Sequence, residues 1–109
     1  MKIVIDSAIT FIAGVLEPYA EVVYLSGDSF TSELVADASA LVVRTRTRCN
    51  RELLEGSKVE AIATATIGFD HIDLEYCKEH NITIIRIPYT HYDNITIKDL
   101  LPLSSTFIV

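Results

Sequence analysis

Five short apolar runs recur along the chain, separated by stretches with helical spacing or helix-capping signals, and this alternation restricts the fold more than any other feature. The runs are KIVID (2–6), EVVYL (21–25), ALVVR (40–44), EAIATA (60–65) and ITIIRI (82–87). Each is rich in Val, Ile or Ala and close to continuously apolar, as strands of a parallel sheet buried on both faces are. Residues 8–17 place Ile12 with Leu16, and Phe11 with Val15, at i,i+4 spacing, and Pro18 stops the predicted helix. A second helix is predicted over 30–36, with Thr31 or Ser32 near its start. A third over 51–55 follows the cap residue Asn50 and ends at Gly56. A fourth over 71–79 has Asp70 as its cap, Asp73 in its first turn and Asn81 just past its end. Asp6 is expected to cap the first helix. Repeated strand–helix units predict an α/β fold: a flavodoxin-like, parallel five-strand sheet, order 2-1-3-4-5, with helices on both faces. After Ile87 the pattern dissolves. Pro88, Pro102 and the polar cluster Thr90-His91-Tyr92-Asp93-Asn94 predict an irregular C-terminal tail.

At 109 residues there is room for one domain, and a hydrophobic content of 50% supplies its core. The formal net charge of -6 argues against non-specific nucleic-acid binding, which relies on Lys and Arg neutralising phosphates. No apolar run approaches the roughly 20 residues of a spanning helix, so no membrane partner is expected. Cys49 and Cys77 are too few for a disulfide framework and show no C-x-x-C spacing, which favours the reducing cytoplasm. His71, His80 and His91 are scattered, so no metal site is expected.

In an open parallel sheet, ligands bind beyond the carboxyl ends of the strands. The third strand runs into Arg44-Thr45-Arg46-Thr47-Arg48-Cys49-Asn50-Arg51, a basic loop in an acidic chain. Arginine forks suit carboxylate or phosphate, Thr45 and Thr47 add hydroxyls, and the next helix aims free N–H groups at the same place. That loop reads as an anion site or, equally, as a solvated charged loop paired with Glu52 and Glu55. The fourth strand ends at Thr66 and Gly68; the glycine would admit a ligand or a neighbouring backbone, or serve only a tight turn. No G-x-G-x-x-G occurs and no nucleophile has a partnered base, so neither cofactor-binding nor catalytic residues can be named.

The runs VVRTRT (42–47) and TATIGFDHID (64–73), with KIVID at the start, resemble the D-2-hydroxy-acid dehydrogenase family over residues 1 to about 84. The T-A-T before G-x-D-H-x-D is similar to its 4-phosphoerythronate branch. The resemblance implies a substrate domain over 1–87, with Thr45 and Thr66 contacting a phosphorylated hydroxy acid and Arg44 and Gly68 supporting them. It also implies an NAD-dependent, homodimeric parent enzyme on the route to pyridoxal phosphate. Ser7 and Thr10 depart from the family pattern where an acidic residue and a proline are expected. Beyond residue 84 the chain reads Arg86-Ile87-Pro88-Tyr89, and 88–109 follows no family pattern. The expectation is therefore a truncated or frame-shifted product without the NAD-binding domain. A receiver-like signalling domain fits poorly, since it needs an acidic pair after strand one and an aspartate after strand three. A stand-alone anion-binding module is the remaining alternative.

Overall fold

The computed structural model describes residues 1–9, 13–66 and 68–86. The tail expected from 88 onward lies outside the described residues. Within them the chain forms β1 (Lys2–Asp6), β2 (Glu21–Leu25), a 3-10 turn (Gly27–Ser29), α1 (Ser32–Val35), β3 (Ala40–Val43), α2 (Arg51–Leu54), β4 (Ala61–Thr64), α3 (Leu74–Glu79) and β5 (Thr83–Arg86). The five strands make one all-parallel sheet in the order β2-β1-β3-β4-β5. Val43 pairs with Thr64 and Thr64 with Arg86, so the carboxyl ends of β3, β4 and β5 lie along one edge.

Strand alternation sorts the core into two layers. Val4, Leu41, Val43, Ile62 and Ile84 face Val35 of α1, Leu53 and Leu54 of α2, and Tyr76 and Cys77 of α3. Ile3, Ile5, Ala40, Val42, Ala61, Ala63 and Ile85 face the other way, against Ile9 and Leu16. Each fully buried Leu, Ile or Val contributes about 1.5–3 kcal/mol relative to exposure. Among the described residues all three α-helices pack on one face, and Ile9 and Leu16 lie against the other.

The segment between β1 and β2 departs from the helix predicted over 8–17. From residue 13 to 19 the backbone makes turns and a bend, with Gly14 at φ 82°. A residue in the left-handed region interrupts the i→i−4 ladder, so apolar spacing alone could not build the helix. The spacing still identified Leu16, which is fully buried. Thr10, Phe11 and Ile12 lie outside the described residues. Asp6 closes a turn instead, its Oδ1 accepting the Ala8 N–H at 2.9 Å. At the sheet edge β2 is only partly buried, unlike the central strands it resembles in sequence.

The other helices follow their caps. Thr31 accepts from Leu34 N, and Asn50 accepts from Leu53 N. For α3 the cap is Asp73, accepting from Tyr76 N, and not Asp70. The helix begins three residues later than Asp70 predicts because 69–72 close a turn first, Ile72 N donating to Phe69 O at 2.9 Å, and Ile72 then bridges to Cys49 in the preceding loop. Asn81 ends the element at φ 57°, as the sequence signal indicated.

Candidate functional site

Two loops extend from adjacent strand ends, and main-chain hydrogen bonds fasten them together. After β3, Thr47 N donates to Arg44 O at 3.3 Å, curling the loop into a turn. Cys49 N then donates to His71 O at 2.8 Å, and Asp73 N to Cys49 O at 2.9 Å. The buried Thr47 hydroxyl donates to Gly27 O at 3.0 Å, tying the same loop to the end of β2.

These ties give the four arginines different roles. Arg46 turns to the β2 side and meets Asp28 at 3.5 Å, with both side chains largely exposed. Arg51 lies over the Tyr76 ring, 5.1 Å from its centroid. Arg44 and Arg48 face an open pocket of about 550 Å³ between the two loops, and among the described residues neither has an ion-pair partner. The pocket is completed by Thr45, Ala65, Thr66, Gly68, Asp70 and His71. The arginine–glutamate pairing weighed as the alternative for this loop does not occur among the described residues.

The second wall is organised by a buried chain of polar side chains. The His71 Nε2 lies 2.9 Å from the Thr64 hydroxyl, which is 2.8 Å from the Thr66 hydroxyl, which donates to Gly68 O at 2.8 Å. Thr64 is the last residue of β4, and Thr66, two positions on, keeps the same side as a strand would. Burial pushes the His71 imidazole below its ordinary value, and the charge of Asp70 pulls weakly the other way. Among the described residues other than its chain neighbours, no atom lies within 4 Å of where a side chain at Gly68 would begin.

All four residues singled out from sequence, Arg44, Thr45, Thr66 and Gly68, line this one pocket. Two further expectations need correcting. Thr47 and Arg46 do not line it, because Gly27 and Asp28 hold them on the other side of the loop. Nor do the first turns of α2 and α3 supply it with N–H donors, because Asn50 and Asp73 take the Leu53 and Tyr76 donors and neither cap lines the pocket. The roles of Thr64 and His71 escaped the sequence reading. The T-x-T spacing at a strand end, followed by a histidine past a turn, was the available signal.

A model of the catalytic domain of D-isomer specific 2-hydroxyacid dehydrogenases matches residues 3–96. The chain belongs to that family. Within it, the chain is 61% identical over 89 residues to the erythronate-4-phosphate dehydrogenase of Bacteroides thetaiotaomicron, covering 81% of this chain and 26% of that protein. It is 44% identical over 82 residues to the protein of the same name in Porphyromonas gingivalis, covering 75% of this chain and 22% of that one. The chain thus spans about a quarter of the length of these relatives. Among solved structures, the NAD+-bound 3-phosphoglycerate dehydrogenase of Entamoeba histolytica superposes with a TM-score of 0.67 at 30% identity, covering 79% of this chain and 32% of that one. The D-lactate dehydrogenase of Aquifex aeolicus, complexed with NAD and lactic acid, gives 0.66 at 25%, covering 81% and 28%.

The described residues of this 2-hydroxyacid dehydrogenase domain do not fit that dinucleotide. A pyrophosphate cradle needs glycines in a strand-to-helix turn. Gly27 is packed against Asp6 and Arg46, Gly14 and Gly56 lie away from the strand ends facing the pocket, and Gly68 stands alone.

Proposed function

We propose that this chain forms the substrate-binding part of an NAD-dependent oxidoreductase acting on the CH–OH group of 4-phosphoerythronate, with the dinucleotide held by residues other than those described. The observation that carries this reading is the convergence of Arg44 and Arg48, lacking ion-pair partners among the described residues, with Thr45 and Thr66 on one pocket at neighbouring strand ends. Two guanidinium groups suit a ligand bearing a phosphate and a carboxylate, since each fork matches a planar or tetrahedral oxyanion. Arg44 and Arg48 supply charge, Thr45 a free hydroxyl, Thr66 a second contact, and Gly68 space for the ligand. The names of the relatives supply the substrate class. The same reading carries a homodimeric enzyme of the reducing cytoplasm, on the route to pyridoxal phosphate. The buried free thiols Cys49 and Cys77 are consistent with that compartment.

A titration of the 109-residue chain with 4-phosphoerythronate, followed by amide signals, tests the reading. Shifts confined to 44–48 and 64–71 are expected, with weak affinity because one wall of a cleft offsets little of the entropy of binding. Shifts elsewhere, or none, would refute it. With NAD added, no NADH should form above a no-protein control, since no glycine-rich cradle occurs in the sequence.

A further inference from the structure

The hydrogen-bond chain behind the pocket has a fixed direction, and that direction decides what Thr66 can recognise. Gly68 O carries no proton, so the Thr66 hydroxyl must be the donor in their 2.8 Å contact. A hydroxyl has one proton, so the 2.8 Å contact between Thr64 and Thr66 must be donated by Thr64. With the Thr64 proton used in this way, its 2.9 Å contact with His71 can only be donated by Nε2–H. No other assignment gives each of the three contacts a proton. Thr64 is fully buried, so water cannot stand in as its donor.

We infer that the Thr66 hydroxyl, its proton committed to Gly68 O and one lone pair to Thr64, faces the pocket as an acceptor and selects a ligand hydroxyl over an anionic oxygen, with His71 a positioning residue that orients Thr64 by donating to it. This deepens the substrate reading above and rests on it. Arg44, Arg48 and Thr45 then meet the charged ends of the ligand, and Thr66 meets a neutral O–H between them. The charged and titratable groups lining the same pocket are Arg44, Arg48 and Asp70. Protonating His71 would add a proton at Nδ1 and leave Nε2–H in place, so the direction of the chain is independent of pH.

Two measurements on the 109-residue chain test this. Ring 15N spectra of His71 should show a protonated Nε2 and a bare Nδ1 near neutral pH; the opposite tautomer overturns the proposal. Titrations with glycerol 3-phosphate and propyl phosphate, which differ in hydroxyls but share the ester phosphate, should favour the former by roughly three- to tenfold, the range of one hydrogen bond. Thr66→Val should bring that ratio to about one. His71→Phe, which removes the donor that orients Thr64, should lower the ratio only partly, and His71→Gln, which can place an N–H where Nε2 sits, should restore it. Equal binding of both esters by the unaltered chain overturns the proposal and leaves the anion pocket standing. If neither ester perturbs residues 44–48, it is the anion reading that fails, and the ring nitrogens still decide the direction of the chain.

Discussion

Gly68 separates packing from binding at the scale of one residue. Among the described residues other than its chain neighbours, a methyl group placed there meets no atom within 4 Å, and the backbone is not in the left-handed region. Gly68→Ala should therefore change stability by no more than about 0.5 kcal/mol. It should still weaken phosphate-ester binding, because the methyl group intrudes on the pocket; thermal melts and titrations of one sample would separate the two effects. Gly27 is the opposite case. Its added Cβ would sit 2.9 Å from Asp6 Oδ2 and 3.0 Å from Arg46 Cβ. Gly27→Ala should cost about 1–3 kcal/mol in denaturant melts, because the buried Asp6 carboxylate cannot swing away without releasing Ala8 N. His71 sets a pH dependence. Its folded value lies below the ordinary 6.5, so in acid the unfolded chain takes up a proton that the folded chain resists. Stability from this residue is full above pH 6.5 and falls as pH drops from there to the folded value. His71→Gln should flatten that part of the stability–pH curve.

Among the elements, the short helices rest on their caps. Asn50→Ala and Asp73→Ala should each cost about 1 kcal/mol by denaturant melts, since each strips a side-chain acceptor from a first-turn N–H. Sequence made these elements readable to different degrees. β1 and β2 match their predicted spans, and β3, β4 and β5 end within a residue of them, because buried parallel strands carry their own apolar signature. Asn50 and Gly56 bracketed α2 correctly because cap chemistry is local. The start of α3 was misread because a turn over 69–72 and a long-range bridge between Cys49 and Ile72 outrank a nearby aspartate, and no local pattern reports the bridge. In the pocket, the basic loop of Arg44 and Thr45 was legible as one possible anion site from its place at a strand end. Thr66 and Gly68 read locally as a tight turn and were singled out only by the family resemblance. The Thr64–Thr66–His71 chain was not legible, because it depends on the path of the turn between β4 and α3.

For the molecule as a whole, burial pushes the Cys49 thiol up to about 12 and the Cys77 thiol up to about 11. Both sit in the layer beneath the three helices. Neither should react with a thiol reagent at pH 8 in the native state, and both should react at the rate of unfolding or local opening. Mass spectrometry of partly labelled chain would show zero or two adducts if the domain opens in one step; abundant single adducts would refute this. The same region sets a limit that no single substitution reveals. The loop from Arg44 to Arg48 is pinned at one end by β3 and at the other by the pair of main-chain bonds that Cys49 makes with His71 and Asp73. Its span is therefore a fixed distance that a fixed number of residues must cross. Adding one residue between 44 and 48 would rotate the arginines out of step with the pocket or break the Cys49 stitch, whatever residue is added. Insertions should be rejected here, so in this domain the number of residues in the loop is as much a specification as their identity.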